Sequence, residues 1–299
     1  MRTVKRHTPA LLDRFRTDGR GIGVHGDYIP WHRVSRGDPS SHGRSHLINW
    51  SGRLRELLSD VEWVTLAFAI MVPEIFDLRE QFPLALDDDL HELAAYDISQ
   101  RYRNYPGSRD LAQSLGIRHP CVHAKGESVS WVMTTDQLLT LKHPDGRLEL
   151  LAVACKTAQG LEGRRTREKL QLERAYWQAR GVEWLLITPD QYDESVGLTL
   201  RREIPWALEE LTSKAQRHIA ATLASTLVGH SLTYVLVRIA ECLGSMELAQ
   251  RAFWQAVWRA ELPLELRRGW RPHLPVTLLE MDDYFRLNPI ISRRSAWSS

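Results

Sequence analysis

The chain is poor in three things. It has only three cysteines, Cys121, Cys155 and Cys242, far apart among its 299 residues. An odd, scattered set makes no disulfide framework and fits a reducing compartment. It lacks a long apolar run: the strongest, Trp63 to Val72, is too short to span a bilayer. The basic N-terminus MRTVKRHTPALLDRFR lacks the apolar core of a signal peptide, so a cytoplasmic location is expected. It also lacks a strong charge bias, with a net charge of +2, so any nucleic-acid contact must come from local clusters. No Walker loop, dinucleotide fingerprint or G-x-S-x-G occurs.

What is present is the composition of a globular protein, 43% apolar and 25% charged, long enough for two domains. Residues 1–50 are rich in Gly, His, Ser and Arg and read as an irregular arm. Leu54, Leu57, Leu58, Val61 and Val64 recur at helical spacing, predicting a helix over 53–70 that ends at Pro73. EIFDLREQFPL alternates like a strand, and a helix is expected near 108–116. VSWVMTTDQLLTL and RLELLAVACK predict a hairpin, RRTREKLQLERAYWQAR an amphipathic helix closed by Gly181, and VEWLLIT a buried strand. The order implies an α/β domain with a mixed sheet flanked by helices, over 51–195. The pattern relaxes at Asp190–Glu203, which reads as a linker. Helices are expected at 206–228, 231–243 and 245–261. LPLELRRGWRPHLPVTLLEM then reads as a β-ribbon, so 200–299 resembles a winged helix.

The hairpin carries the chemistry. His143-Pro144-Asp145-Gly146-Arg147 suits a three-residue loop in which His143 pairs with Arg147. Counting back, Asp136 lies opposite Ala154, with Lys156 its diagonal neighbour on the same face. An acid and a lysine over one small volume suit metal-dependent phosphodiester hydrolysis, in which a hard cation such as Mg²⁺ takes oxygen ligands. An ordinary cross-strand ion pair is the plainer alternative. Against it, Lys156 ends an otherwise apolar strand, where a charge needs a partner or a purpose. Glu62, at the edge of the apolar stripe, is the next acid. It faces the domain or closes a capping box with Ser59, and the pattern leaves both open.

Among basic clusters, Arg164-Arg165-x-Arg167-x-Lys169 is the most suggestive of phosphate, because it opens a helix. Arg101-x-Arg103, Arg293-Arg294 and Arg267-Arg268-x-x-Arg271 read equally as solvated faces. His42, Arg44 and His46 in PSSHGRSHL either touch phosphate or sit in solvent. His119-Pro-Cys121-Val-His123 has zinc-ligand types but no second pair, which argues against a metal there.

GRGIGVHGDYIPW, PSSHGRSH, LLSDVEW, LREQFPL, GIRHPCV, MTTD, RRTREKLQLERAYW and VEWLLIT, in this order over roughly residues 18–190, resemble the TnsA family. These are endonuclease subunits of heteromeric cut-and-paste transposases. The resemblance implies a restriction-endonuclease-like fold, with residues 1–50 packed on the catalytic domain. It implies a Mg²⁺ site, in which Mn²⁺ can substitute, built from Glu62, Asp136 and the Cys155 carbonyl, with Lys156 beside it. It implies cutting of the 5′ strands of double-stranded DNA at transposon ends. Its implied partners are an integrase-type subunit, TnsB, and an ATPase regulator, TnsC. DNA contacts are expected from Arg44, His46, Arg164, Arg165, Arg167 and Lys169. Arg267, Arg268 and Arg271 join them from a C-terminal part with 13 Arg and Lys against 10 Asp and Glu. The setting implied is a bacterial cytoplasm, nucleoid-associated when on DNA. The departure is Ala154, where the family has Gln and related nucleases have Glu. Either this lineage does without that side chain, or it is a deliberate substitution that stops cutting. The second is favoured because alanine leaves a polar site under-furnished. The rivals are a stand-alone restriction-type nuclease and a non-cleaving assembly adaptor.

Overall fold

The computed structural model describes residues 7–36, 38, 44–208 and 210–297. His42 of the PSSHGRSH motif lies outside them. The chain forms two compact units, Met1–Glu62 with Glu74–Leu186, and Trp63–Pro73 with Ile187–Ser299. Among the described residues no helix is long and apolar enough to cross a membrane.

The first unit opens with helix α1 (Pro9–Thr17), started by the Thr8 side chain. Its apolar face, Leu12 and Phe15, clusters with Trp31 and Val132. The next elements correct the sequence reading. Residues 53–57 are a strand, not a helix: β1 (His46–Trp50) pairs antiparallel with β2 (Arg53–Leu57). Ser51 and Gly52, both at positive φ, make the two-residue turn between them. The leucine spacing at 54, 57 and 58 mimicked a helix, while the Ser-Gly turn signal went unread. Helix α2 begins only at Asp60 (Asp60–Ala69).

β3 (Ile75–Pro83) forms an edge of the main sheet. Two short hairpins and a helix follow it: β4 (Asp89–Leu90) with β5 (Asn104–Tyr105), α3 (Ser108–Ser114), and β6 (Cys121–Ala124) with β7 (Glu127–Ser130). β8 (Thr134–Lys142), β9 (Leu148–Cys155), α4 (Arg164–Ala179) and β10 (Glu183–Ile187) complete the unit. The mixed four-stranded sheet runs β10-β9-β8-β3. α4 lies on one face, where Trp177 Nε1 donates to Thr135 Oγ1 at 2.7 Å and its ring packs against Phe82. β3 is unusual in burying Asp77, Arg79, Glu80 and Gln81. Arg53 clamps Glu80 through two 2.6 Å bonds, and the backbone N–H of Trp31 donates to the Gln81 carbonyl.

The second unit is mostly helical. The expected linker is α5 (Glu194–Leu208), whose Val196, Leu200 and Ile204 are buried. Gly197 and Pro205 lower its helix propensity, and burial overrides them. α6 (Lys214–Thr226), α7 (Leu232–Leu243) and α8 (Met246–Trp258) start at Ser213, Ser231 and Ser245, each serine capping its helix. The expected β-ribbon reduces to two isolated bridges, Ser231↔Pro275 and Leu264↔Leu278, before α9 (Met281–Leu287). Three prolines and a 3-10 turn at Leu266–Arg268 leave no run long enough for a ladder.

Candidate active site

The β8–β9 turn sets the geometry. The His143 N–H donates to Arg147 at 2.9 Å, the Gly146 N–H to His143 at 2.8 Å, and Gly146 takes φ +85°. The ladder runs from Lys142↔Leu148 to Gln137↔Val153. One step further, Asp136 faces Ala154, as the sequence count requires. Asp136 Oδ2 accepts from the Cys155 N–H at 2.7 Å and from Lys156 Nζ at 3.1 Å. Lys156 Nζ also donates to the Cys155 carbonyl at 2.8 Å. Acid and amine therefore share one face, with the lysine side chain one-third exposed (33%). Ala154 is wholly buried and brings no polar atom.

Glu62 arrives from the first turn of α2. It faces the domain and makes half of a capping box, reaching back to the Leu58 N–H and not to that of Ser59. Its N–H donates to Ser59 Oγ at 3.2 Å, and its carboxylate accepts from the Leu58 N–H at 2.9 Å and from Ser59 Oγ at 3.0 Å. The same carboxylate accepts from Gln81 Nε2 at 3.1 Å, and that nitrogen also donates to Asp136 Oδ1 at 3.3 Å. One amide thus joins the two acids. Gln137 Nε2 fixes the helix start by donating to the Glu62 carbonyl at 2.8 Å.

The cluster is short of positive charge. Burial, then the neighbouring Asp136 carboxylate, pushes the Glu62 pKa up to about 7. Glu173 on α4, held by Thr135 and Trp184, is raised to about 7 by the same two causes in the same order. Burial works against the Lys156 ammonium, but the Asp136 and Glu173 carboxylates outweigh it and raise its pKa. Two buried carboxylates and a backbone carbonyl are hard oxygen donors with one lysine as their counter-charge. That donor set suits a divalent cation. Glu62, Asp136 and the Cys155 carbonyl are the groups that would hold it. A cleft of about 150 Å³ opens on Asp136 and Lys156, lined also by His32, Thr134, Lys169 and Glu173. A larger cleft of about 470 Å³, lined by Arg20, Arg79 and Arg101 among others, contains none of this cluster.

The remaining expected residues fall into groups. Arg44 Nη1 and His46 Nε2 each hold Asp60, at 2.7 Å, so they brace the start of α2 two residues from Glu62. Arg164 and Arg165 bond Glu168, and Arg167 bonds the Leu161 carbonyl, all at the exposed start of α4. Lys169, on the same helix, lines the cleft that opens on Asp136 and Lys156. Arg267 pairs with Glu265, Arg268 is spent on the carbonyls of Gly269, Arg271, Leu274 and Pro275, and Arg271 is exposed. His119 is held by Ser108 and the Pro120 carbonyl, while Cys121 and His123 are exposed. Among the described residues, His7, His32 and Asp38 approach metal-ligand spacing. Asp38, however, already accepts from Arg20 at 2.8 Å and from the Arg33 N–H at 3.0 Å.

Sequence reasoning missed Gln81, Glu173 and His32. The polar run D-x-R-E-Q marks the strand that carries Gln81 without singling out its amide, and Glu173 and His32 carry no comparable signal.

Residues 73–189 match the family model described as TnsA-like endonuclease N terminal. The chain is 34% identical over 209 residues to the Transposon Tn7 transposition protein TnsA of Escherichia coli, covering 69% of this chain and 65% of that protein. It therefore spans slightly under two thirds of that relative's length. The matched region contains Gln81, Asp136 and Lys156 on the restriction-endonuclease-like sheet, and over it the chain is similar to the TnsA-like endonucleases.

Proposed function

We propose that this chain is the DNA endonuclease subunit of a heteromeric transposase, hydrolysing the 5′ strands of double-stranded DNA at transposon ends with Mg²⁺, for which Mn²⁺ can substitute. The convergence of Glu62, Asp136 and Lys156 on one cleft carries this reading. The cation would neutralise phosphate oxygens and acidify water when bound by Glu62, Asp136 and the Cys155 carbonyl. Asp136 also fixes Lys156, which remains an ammonium and donates to the attacking water or to a phosphate oxygen as charge develops. The arginines opening α4 lie on the helix that lines the cleft and supply phosphate contacts. The resemblance adds the partners: an integrase-type subunit of the TnsB kind that places the DNA end, and an ATPase regulator of the TnsC kind. Residues 200–299, mostly helical and without the expected ribbon, serve as the DNA- and partner-binding part.

The test is strand-specific cleavage of an end-labelled transposon-end duplex, with and without the integrase partner. Cutting of the 5′ strand is expected only with partner and Mg²⁺, and Asp136→Ala should reduce it to background. Cleavage that survives Asp136→Ala would remove the site from the reaction. Buried Ala154 favours one second reading, a non-cleaving adaptor. That adaptor would bind DNA and partner yet cut under no metal, and would gain cleavage on Ala154→Gln.

A further inference from the structure

Alanine at 154 leaves β9 without a polar side chain two residues before Lys156, yet the site is not short of one. We propose that Gln81, on β3, takes that place. As it stands its amide N–H groups position both Glu62 and Asp136, and turned over it offers an oxygen to the divalent cation they would hold. The inference rests on the nuclease reading above.

Position is the first argument. β8 lies between β9 and β3. Ala154 faces Asp136 from one side. On the other, the pairs Glu80↔Gln137 and Phe82↔Thr135 put Gln81 across from the same aspartate. Residues on one rung of a sheet point to one face, so Gln81 and Ala154 flank Asp136 at the same level. A side chain missing from one flank is replaceable from the other.

Contacts are the second. Gln81 Nε2 lies 3.1 Å from Glu62 Oε2 and 3.3 Å from Asp136 Oδ1, while Gln81 Oε1 accepts from Thr134 Oγ1 at 3.2 Å. A threonine hydroxyl both donates and accepts, so Thr134 supports the amide either way round. Reversed, Gln81 would present its oxygen to the space between the carboxylates.

Backbone is the third. Gln81 sits in a strand at φ +49°, only 2% exposed. A left-handed non-glycine residue is strained and persists where surroundings over-determine it, commonly at functional sites. The Gln81 carbonyl is tied to the Trp31 N–H at 3.2 Å, which fixes this turn of the strand and aims its side chain.

The experiment is Mn²⁺ titration of the full chain by calorimetry, with thermal unfolding in chelator alongside. Asp136→Ala should abolish binding. Gln81→Ala should weaken it roughly tenfold to a hundredfold, the range for a group supporting metal ligands. Gln81→Glu should tighten Mn²⁺ while lowering the unfolding temperature in chelator, because it adds a carboxylate to the buried Glu62, Asp136 and Glu173. Adding Ala154→Gln to Gln81→Ala should recover most of the missing affinity. A spacer role for Gln81 predicts the same loss of stability in Gln81→Glu but no gain in affinity, and that result overturns the proposal. So does unchanged affinity in Gln81→Ala when Asp136→Ala abolishes binding, an outcome that leaves the nuclease reading standing. Wild-type chain with no Asp136-dependent binding would end both. Should Gln81→Ala fail to fold, Gln81→Glu decides alone.

Discussion

His32 shows how a single buried side chain ties this site to pH. It is 5% exposed, stacks on Trp131 at 5.4 Å between ring centroids, and lines the cleft beside Asp136 and Lys156. Burial pulls its pKa from 6.5 to about 4, against the pull of Asp38 in the other direction. An unfolded histidine therefore takes up its proton near 6.5, the folded one only near 4. Between these values the unfolded chain binds more protons, so stability falls as pH drops through that window and is fully present above it. At about 1.4 kcal/mol per pH unit the loss is at most about 3 kcal/mol. Urea midpoints at pH 7 and pH 4.5 should differ more for wild type than for His32→Gln; equal losses would assign the acid sensitivity elsewhere. At this scale Lys156 was legible because an amine ending an apolar strand demands a partner, Asp136 because the hairpin count sets it beside that lysine, and Glu62 because it borders an apolar stripe. Gln81 and His32 were not. A neutral amide or imidazole carries no charge to account for, and only tertiary contact reveals that each meets the carboxylates' cleft.

Elements were legible where turn chemistry and periodicity agreed. The β8–β9 hairpin came out in register because Pro144 and Gly146 restrict the loop to one length, and that register alone sets Asp136 beside Lys156. α5 was missed because glycine and proline masked its buried face. β2 was missed because three leucines happened to fall at helical spacing. The turn gives a direct test. A Cβ at Gly146 meets no atom within 4 Å, so replacement costs only the backbone term of its φ of +85°. Gly146→Ala should lower unfolding free energy by about 1 kcal/mol, and Gly146→Asn by less, since asparagine tolerates the left-handed region. Mn²⁺ affinity should be unchanged in both. A drop in affinity with intact folding would mean that the register depends on the loop more than on the ladder.

Across the whole molecule, a net charge of +2 gives no general attraction to DNA, so binding must be concentrated where cations are free to meet phosphate. The structure separates the basic clusters by how committed they are. Arg268 is bonded to four backbone carbonyls and Arg267 to Glu265, so their removal should destabilise the second unit before it weakens DNA binding. Arg164, 92% exposed, and Arg167 each make a single surface bond, to Glu168 and to the Leu161 carbonyl, at the start of α4, whose first turn holds no acid and whose N-cap is Gly163. Free N–H groups and exposed guanidinium groups there favour phosphate, and Lys169 on the same helix lines the cleft. Each arginine removed from a phosphate lowers the slope of log K against log salt by about 0.9. Arg164→Ala with Arg167→Ala should therefore flatten the slope for duplex DNA by roughly one to two with unchanged thermal stability. Arg267→Ala with Arg268→Ala should lower the unfolding temperature and leave the slope nearly as it was. Filter binding over a series of salt concentrations, with unfolding curves for the same samples, reads both, and the reverse pattern would move the DNA-binding surface from α4 to the C-terminal unit.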